Sequence, residues 1–331
     1  MMQFLIIADM HFAIEKAKKD NRQILHKLGD MIPTLNQRRM SGASSHIQKT
    51  FREAANYGPY EAIIDLGDRT HGTPDNTGLI CSHSVNEAFE AIKLRKESFP
   101  EIPDNLVCQI PGNHDLGWAL SSFARKGDGY LKKSLASYRK IYGPLFWMKE
   151  LTSEINVIGI SSEPFLYDYN QPKKFKNGEN EKEIKTRILL LKNELALQLS
   201  FIKNSLQEIK QKNKKFILAV HEPFAMLSPK LQALIEPYKE RHLVTLAGHV
   251  HARWLMNILN FTMPQNSLPI FKRYKIQMIP SVWGIMIPSI PWGIGAGWAR
   301  IVIEDDGHIN LYIYRTNKKK FQGIRLGKSC L

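Results

Sequence analysis

The pattern that most limits what this chain can become is a repeated pairing. A short apolar, β-branched run is followed at once by a cluster of acids, amides and histidines. The runs Phe4 to Ala8, Ala62 to Leu66, Leu106 to Ile110, Phe216 to Val220 and Leu243 to Ala247 read as buried strands. Directly behind them stand Asp9-Met10-His11, Gly67-Asp68, Gly112-Asn113-His114-Asp115, His221 and Gly248-His249-Val250-His251. Polar groups at the carboxyl ends of strands in an α/β sheet converge on one crevice even when far apart in sequence. The pairing therefore predicts one shared site built by strand ends.

The material between these runs is helical. The clearest helix is expected from about Ile184 to Lys210, where Leu189, Leu191, Leu195, Leu197, Leu199, Ile202, Leu206 and Ile209 give a broad apolar face. A further strand is expected at Ile155 to Ile160, and strands alone at Lys275 to Ile279, Ala299 to Ile303 and Ile309 to Tyr314. Alternating strand and helix predicts an α/β sandwich. The uncharged stretch Ile276 to Ala299 is long enough to cross a bilayer, but Pro280, Pro288, Pro291 and four glycines interrupt it, so it reads as strand and loop. The chain opens Met1-Met2-Gln3-Phe4-Leu5, which reads as a first strand and not as a signal peptide.

Composition narrows the function classes. Hydrophobic residues make up 43% of the 331, enough for a packed core, which excludes a disordered chain. The 46 Lys and Arg exceed the 31 Asp and Glu, a formal charge of +15 that calls for an anionic partner: nucleic acid, an anionic membrane surface or a small phosphate ester. Three widely spaced cysteines, Cys81, Cys108 and Cys330, form neither a CxxC pair nor a disulfide framework, and a reducing cytoplasm is the expected location.

The donors of the strand-end clusters are Asp9, His11, Asp68, Asn113, His221, His249 and His251. Imidazole and carboxylate without thiolate suit zinc, manganese, iron or nickel and do not select among them. One carboxylate between two ions can bridge them, giving the clamp used for in-line displacement at phosphorus. The glycines before Asp68, Asn113 and His249 let the backbone turn sharply off each strand.

The ordered set DxH, GD, GNHD, H and GHxH, spanning residues 9 to 251, resembles the calcineurin-like metallophosphoesterase superfamily. The resemblance implies a four-layer α/β/β/α sandwich of two mixed sheets with helical insertions. It implies that Asp9, His11 and His251 hold one metal ion, that Asn113, His221 and His249 hold a second, and that Asp68 bridges them. His114 is implied as the histidine that contacts the phosphate and protonates the leaving oxygen, after a metal-bridging hydroxide attacks phosphorus in line. Asp115 is expected to orient His114 by hydrogen bonding.

Three residues are candidates for the substrate side, each with a plainer alternative. Arg69 would meet a phosphate through its fork of donors, or form a surface ion pair. His71 stands where the superfamily's DNA-repair nucleases have a histidine near the scissile phosphate, or is a loop residue. Trp118 would wall the pocket, or pack between loop and sheet. Residues 1–315 are expected to form one catalytic domain, with basic insertions at about 13–60 and 116–147 capping the site, and 316–331 a basic tail. A phosphodiester substrate is favoured over a phosphomonoester or phosphoprotein. The phosphoprotein phosphatases carry an arginine just before the GNH triplet, where Pro111 stands here, and an Asp-Arg-Gly soon after the second cluster, which is absent.

Overall fold

The computed structural model describes residues 1–12, 43–70, 82–116, 132–169, 181–249, 275–279, 282–287, 290, 297–316 and 322–328. Two mixed six-stranded sheets carry the fold. The first has the order β12-β11-β10-β1-β2-β3, from β1 (Met2–Ile7), β2 (Ala62–Asp65), β3 (Val107–Gln109), β10 (Gly297–Ile303), β11 (His308–Arg315) and β12 (Gln322–Lys328). The second has the order β4-β5-β6-β7-β9-β8, from β4 (Trp147–Thr152), β5 (Ile155–Ile160), β6 (Lys215–Val220), β7 (His242–Ala247), β8 (Lys275–Ile279) and β9 (Val282–Met286).

Within each sheet the strands that lead into the polar clusters run parallel. β1 pairs with β2 and β2 with β3 in the first; β5, β6 and β7 pair in sequence in the second. Parallel strands buried on both faces need apolar residues at every position, which is why these runs are continuous rather than alternating. Phe4, Ile6, Ile64 and Leu66 on one face of the first sheet share a core with Ile217, Ala219, Val244 and Leu246 of the second. Leu5, Ile7 and Ile63, pointing the other way, pack beneath Ile47, Phe51 and Ala54 of helix α1 (Ala43–Ala55) and Ala91 of α2 (Ser82–Ser98). Further along lie α3 (Lys132–Tyr142) and α4 (Glu163–Tyr169). The long helix α5 (Glu181–Gln211) buries Leu195, Ile202, Leu206 and Ile209 in the core of the second sheet, and α6 (Pro229–Ile235) follows β6. The result is the four-layer α/β/β/α sandwich.

Several expectations are corrected. Leu189 and Leu197 sit on the outer side of α5, 59% and 56% exposed, so its apolar face is narrower than the leucine count implies. Of the two insertions, 13–42 and 117–131 lie outside the described residues. Their described parts are helices α1 and α3, which bury Ile47, Phe51, Leu135 and Tyr138 while Lys49, Arg52, Lys132, Arg139 and Lys140 face outward. The segment expected as a basic tail supplies the edge strand β12, paired antiparallel with β11 and burying Ile324. Lys and Arg on an edge strand keep it from pairing with other chains, so charge there marks a protected edge and not a loose end.

Ile324→Ala should therefore cost about 2 kcal/mol or more in a urea titration. A free tail would leave the midpoint where it was.

Candidate metal centre

The five clusters meet at one place because the strands before them point the same way in two facing sheets. The turns that carry them are bent at the candidate donor residues themselves. Asp9, His11, Asp68 and His249 have φ of 53°, 45°, 52° and 69°, the left-handed region that non-glycine residues rarely occupy. Such conformations persist only where the surrounding structure enforces them, and they concentrate at functional sites. Gly67 adds φ of 94°. Gly112 has a different role: a Cβ there would lie 2.0 Å from Asp68 Oδ1, so only glycine lets the third cluster close on the second.

Four acceptor atoms face one another across the two sheets. His221 Nε2 lies 3.2 Å from Asp68 Oδ2, 3.2 Å from Asn113 Oδ1 and 3.1 Å from His249 Nδ1. His221 Nδ1 is 2.7 Å from the Leu66 carbonyl oxygen, a partner that can only accept, so Nδ1 carries a proton and Nε2 is the nitrogen whose lone pair a metal ion would meet once its own proton has left. Atoms with lone pairs repel at this range unless a proton or a metal cation lies among them. Separations near 3 Å are those between neighbouring ligands on an ion held by bonds of about 2.0–2.2 Å. The donor set therefore fits a divalent transition metal.

A second group adjoins the first through the same carboxylate. His11 Nε2 and His114 Nε2 lie 3.7 Å and 4.0 Å from Asp68 Oδ2, and the two rings meet edge-on with centroids 4.6 Å apart. His11, Asp68 and His114 form one cluster able to hold an ion; Asp68, His221 and His249 form another. Asp9 closes the far side, accepting the His249 backbone N–H at 3.0 and 2.9 Å and standing 4.0 Å from His221 Nδ1. His251, His71 and Trp118 lie outside the described residues.

Charge in this cluster is tightly correlated. Burial alone would raise the Asp68 carboxyl, but His221 and His114 beside it outweigh burial and hold it well below the usual carboxylate range. Burial pushes Asp9 up to about 7. Burial would strip the proton from His221, yet Asp68 and Asp9 overcome that and push it up to about 10. Without a metal ion, a proton is held where the donors converge.

Two expected roles change. Asp115 accepts from the backbone N–H groups of Asp68 (2.8 Å), Arg69 (3.0 Å) and Gly112 (3.0 Å), and from the Arg69 guanidinium at 3.1 Å. Its carboxylate ties the second cluster to the third and does not orient the His114 ring. Arg69 is neither a phosphate contact nor a surface ion pair. It is 2% exposed; its Nε donates to Asp65 at 2.7 Å, its Nη2 to the Ile110 carbonyl at 2.9 Å, and its guanidinium stacks 4.5 Å from the Tyr142 ring. Burial works against its charge, and Asp65, with smaller contributions from Tyr138 and Asp115, outweighs that cost. Sequence reasoning missed Asp65; the signal was an acid inside an otherwise apolar strand. It also gave no role to Glu222, whose Oε2 lies 2.8 Å from His249 Nε2.

A family model for calcineurin-like phosphoesterases matches residues 2–253. Among solved structures, the chain is similar to that of PhoD with TM-score 0.50 and 10% identity, covering 100% of this chain and 72% of that one, which speaks to the fold alone. It is also similar to the Haemophilus influenzae NAD nucleotidase NadN with TM-score 0.41 and 14% identity, covering 99% of this chain and 49% of that one, so this chain spans about half of that protein's length. No curated protein matches the chain significantly.

Replacing Arg69 by Met leaves Asp65 and Asp115 buried without their cation, which should cost about 3–5 kcal/mol of folding stability. Chemical denaturation measures it. A substrate contact would instead raise KM and leave the denaturation midpoint unmoved.

Proposed function

Because the chain belongs to the calcineurin-like phosphoesterase family, and is thus a metal-dependent phosphoric ester hydrolase, we propose that it is a dinuclear phosphodiesterase in which Asp68 is shared between two ions. The observation that carries this reading is that Asp68 Oδ2 faces both His11 Nε2 at 3.7 Å and His221 Nε2 at 3.2 Å. Asp9 and His11, with His251, would hold one ion; Asn113, His221 and His249 would hold the other. Bound there, two divalent cations would polarise the phosphoryl oxygens and acidify a water for attack at phosphorus. Manganese, iron, zinc and nickel all suit these donors.

The chain's own residues have separable tasks. His114 is the group for the leaving oxygen. Its side chain is 15% exposed, against 3% for His11, none for His221 and 9% for His249, so it stands at the mouth of the cluster where an ester would enter. Its backbone N–H donates to Asp68 Oδ1 at 2.9 Å, which ties the acid's position to the shared carboxylate. A protonated imidazole there can give its proton to a departing alkoxide. Asp115 acts through the backbone, holding the Asp68 turn and the Gly112 turn together. A phosphodiester is favoured by the net charge of +15, which suits a substrate with anionic groups beyond the reacting one, and by Pro111 in place of the arginine of the phosphoprotein phosphatases.

Turnover should appear when the chelator-stripped protein receives Mn2+, Ni2+ or Zn2+, with bis-p-nitrophenyl phosphate preferred over p-nitrophenyl phosphate. Preference for the monoester would reverse the substrate assignment, and failure on both with metal bound would remove the enzymatic reading. His114→Ala should lower kcat about 10²–10⁴-fold while metal content stays unchanged. Metal binding must also displace the proton held on His221, since ligands bind deprotonated. Apparent Mn2+ affinity should therefore climb from mildly acid to mildly alkaline buffer, with proton release visible by calorimetry in buffers of different ionisation enthalpy.

A further inference from the structure

The two histidines of the second donor cluster are held from behind in different ways. His221 gives its rear proton to a neutral acceptor, the Leu66 carbonyl. His249 turns Nδ1 toward His221, and its rear nitrogen, Nε2, meets the Glu222 carboxylate at 2.8 Å. Glu222 is 1% exposed and sits at the end of β6, directly after His221. It is itself fixed: its backbone N–H donates to Ser162 Oγ at 2.8 Å, and its carbonyl accepts from Ala225 N–H at 3.1 Å as the next turn begins. Gly248 N–H donates to the His221 carbonyl at 3.0 Å, which joins the same two strand ends by their backbones. One loop thus supplies a donor of the cluster and the clamp for a donor on the neighbouring loop.

A buried carboxylate is expensive to keep. That cost is offset if the imidazole passes the negative charge on to a cation on its other nitrogen. A carboxylate behind a metal-bound histidine fixes the tautomer and ring plane and raises the basicity of the ligating nitrogen. We propose that Glu222 is a positioning residue for the second metal subsite: it accepts a hydrogen bond from His249 Nε2–H and so aims the Nδ1 lone pair at the point shared by Asp68, Asn113 and His221. Glu222 sets how tightly that subsite holds its ion and takes no part in the bond-making at phosphorus. The inference rests on the dinuclear reading above.

The test is calorimetric titration of chelator-stripped wild type, Glu222→Ala and Glu222→Gln with Mn2+, beside thermal melts of the metal-free proteins. Wild type should take up two ions. Glu222→Ala should keep one at wild-type affinity and bind the other about 10–100-fold more weakly. Glu222→Gln, whose amide oxygen still accepts the proton but carries no charge, should fall between. If wild type takes two ions and Glu222→Ala binds both unchanged, the inference fails and the dinuclear reading stands. If wild type binds fewer than two ions, both fail. Equal weakening at both subsites together with a lower metal-free melting temperature, in either variant, would mark Glu222 as general support for the fold and overturn the positioning role.

Discussion

The Asp68 carboxylate is the point on which the rest of the molecule depends. It is fully buried, Oδ1 holds the His114 backbone, and Oδ2 faces His11, His114 and His221 at once. A buried charge among acceptors is unstable unless a cation compensates it, so this arrangement makes physical sense as a receptacle for positive charge. Its own backbone is held in turn by Asp115, and Asp115 by Arg69. The chain of support runs from the proposed ion site, through a strained turn, to a fully buried salt-bridge network.

Left-handed φ occurs at four of the proposed ligand residues, and that network holds the turn at Asp68. Each bent turn sits at the end of a parallel strand whose neighbours are packed on both faces. The cost of each turn, about 1–3 kcal/mol, is met by the core together with the bonds that hold the turns, Asp115 on the Asp68 backbone and Asp9 on the His249 backbone. The two sheets contribute unequally: the first brings Asp9, His11, Asp68, Asn113 and His114, the second His221 and His249 with Glu222 behind. Any change that slides one sheet over the other would separate Asp68 from His221 before it disturbed either sheet.

Much of this was legible in the sequence, for identifiable reasons. Strands such as Ile155–Ile160 and Lys215–Val220 fall where their apolar runs place them, because a parallel strand buried on both faces has no freedom to be polar. The clusters after them were legible because donors for a metal cannot be exchanged for other residue types. The strand Trp147–Thr152 was not, since an edge strand with Lys149 and Glu150 exposed carries no apolar period. Arg69 was misjudged because nothing linear says that Asp65, Asp115 and two tyrosine rings close around it. Asp115 was placed in the right neighbourhood with the wrong partner, since adjacency to His114 in sequence says nothing about which way a side chain turns in a tight loop.

The most direct test of a shared Asp68 is anomalous diffraction from crystals grown with Mn2+. The account expects two peaks about 3.5–4 Å apart with the Asp68 carboxylate between them. A single peak, or two peaks of which only one lies within bonding distance of Asp68, would contradict it.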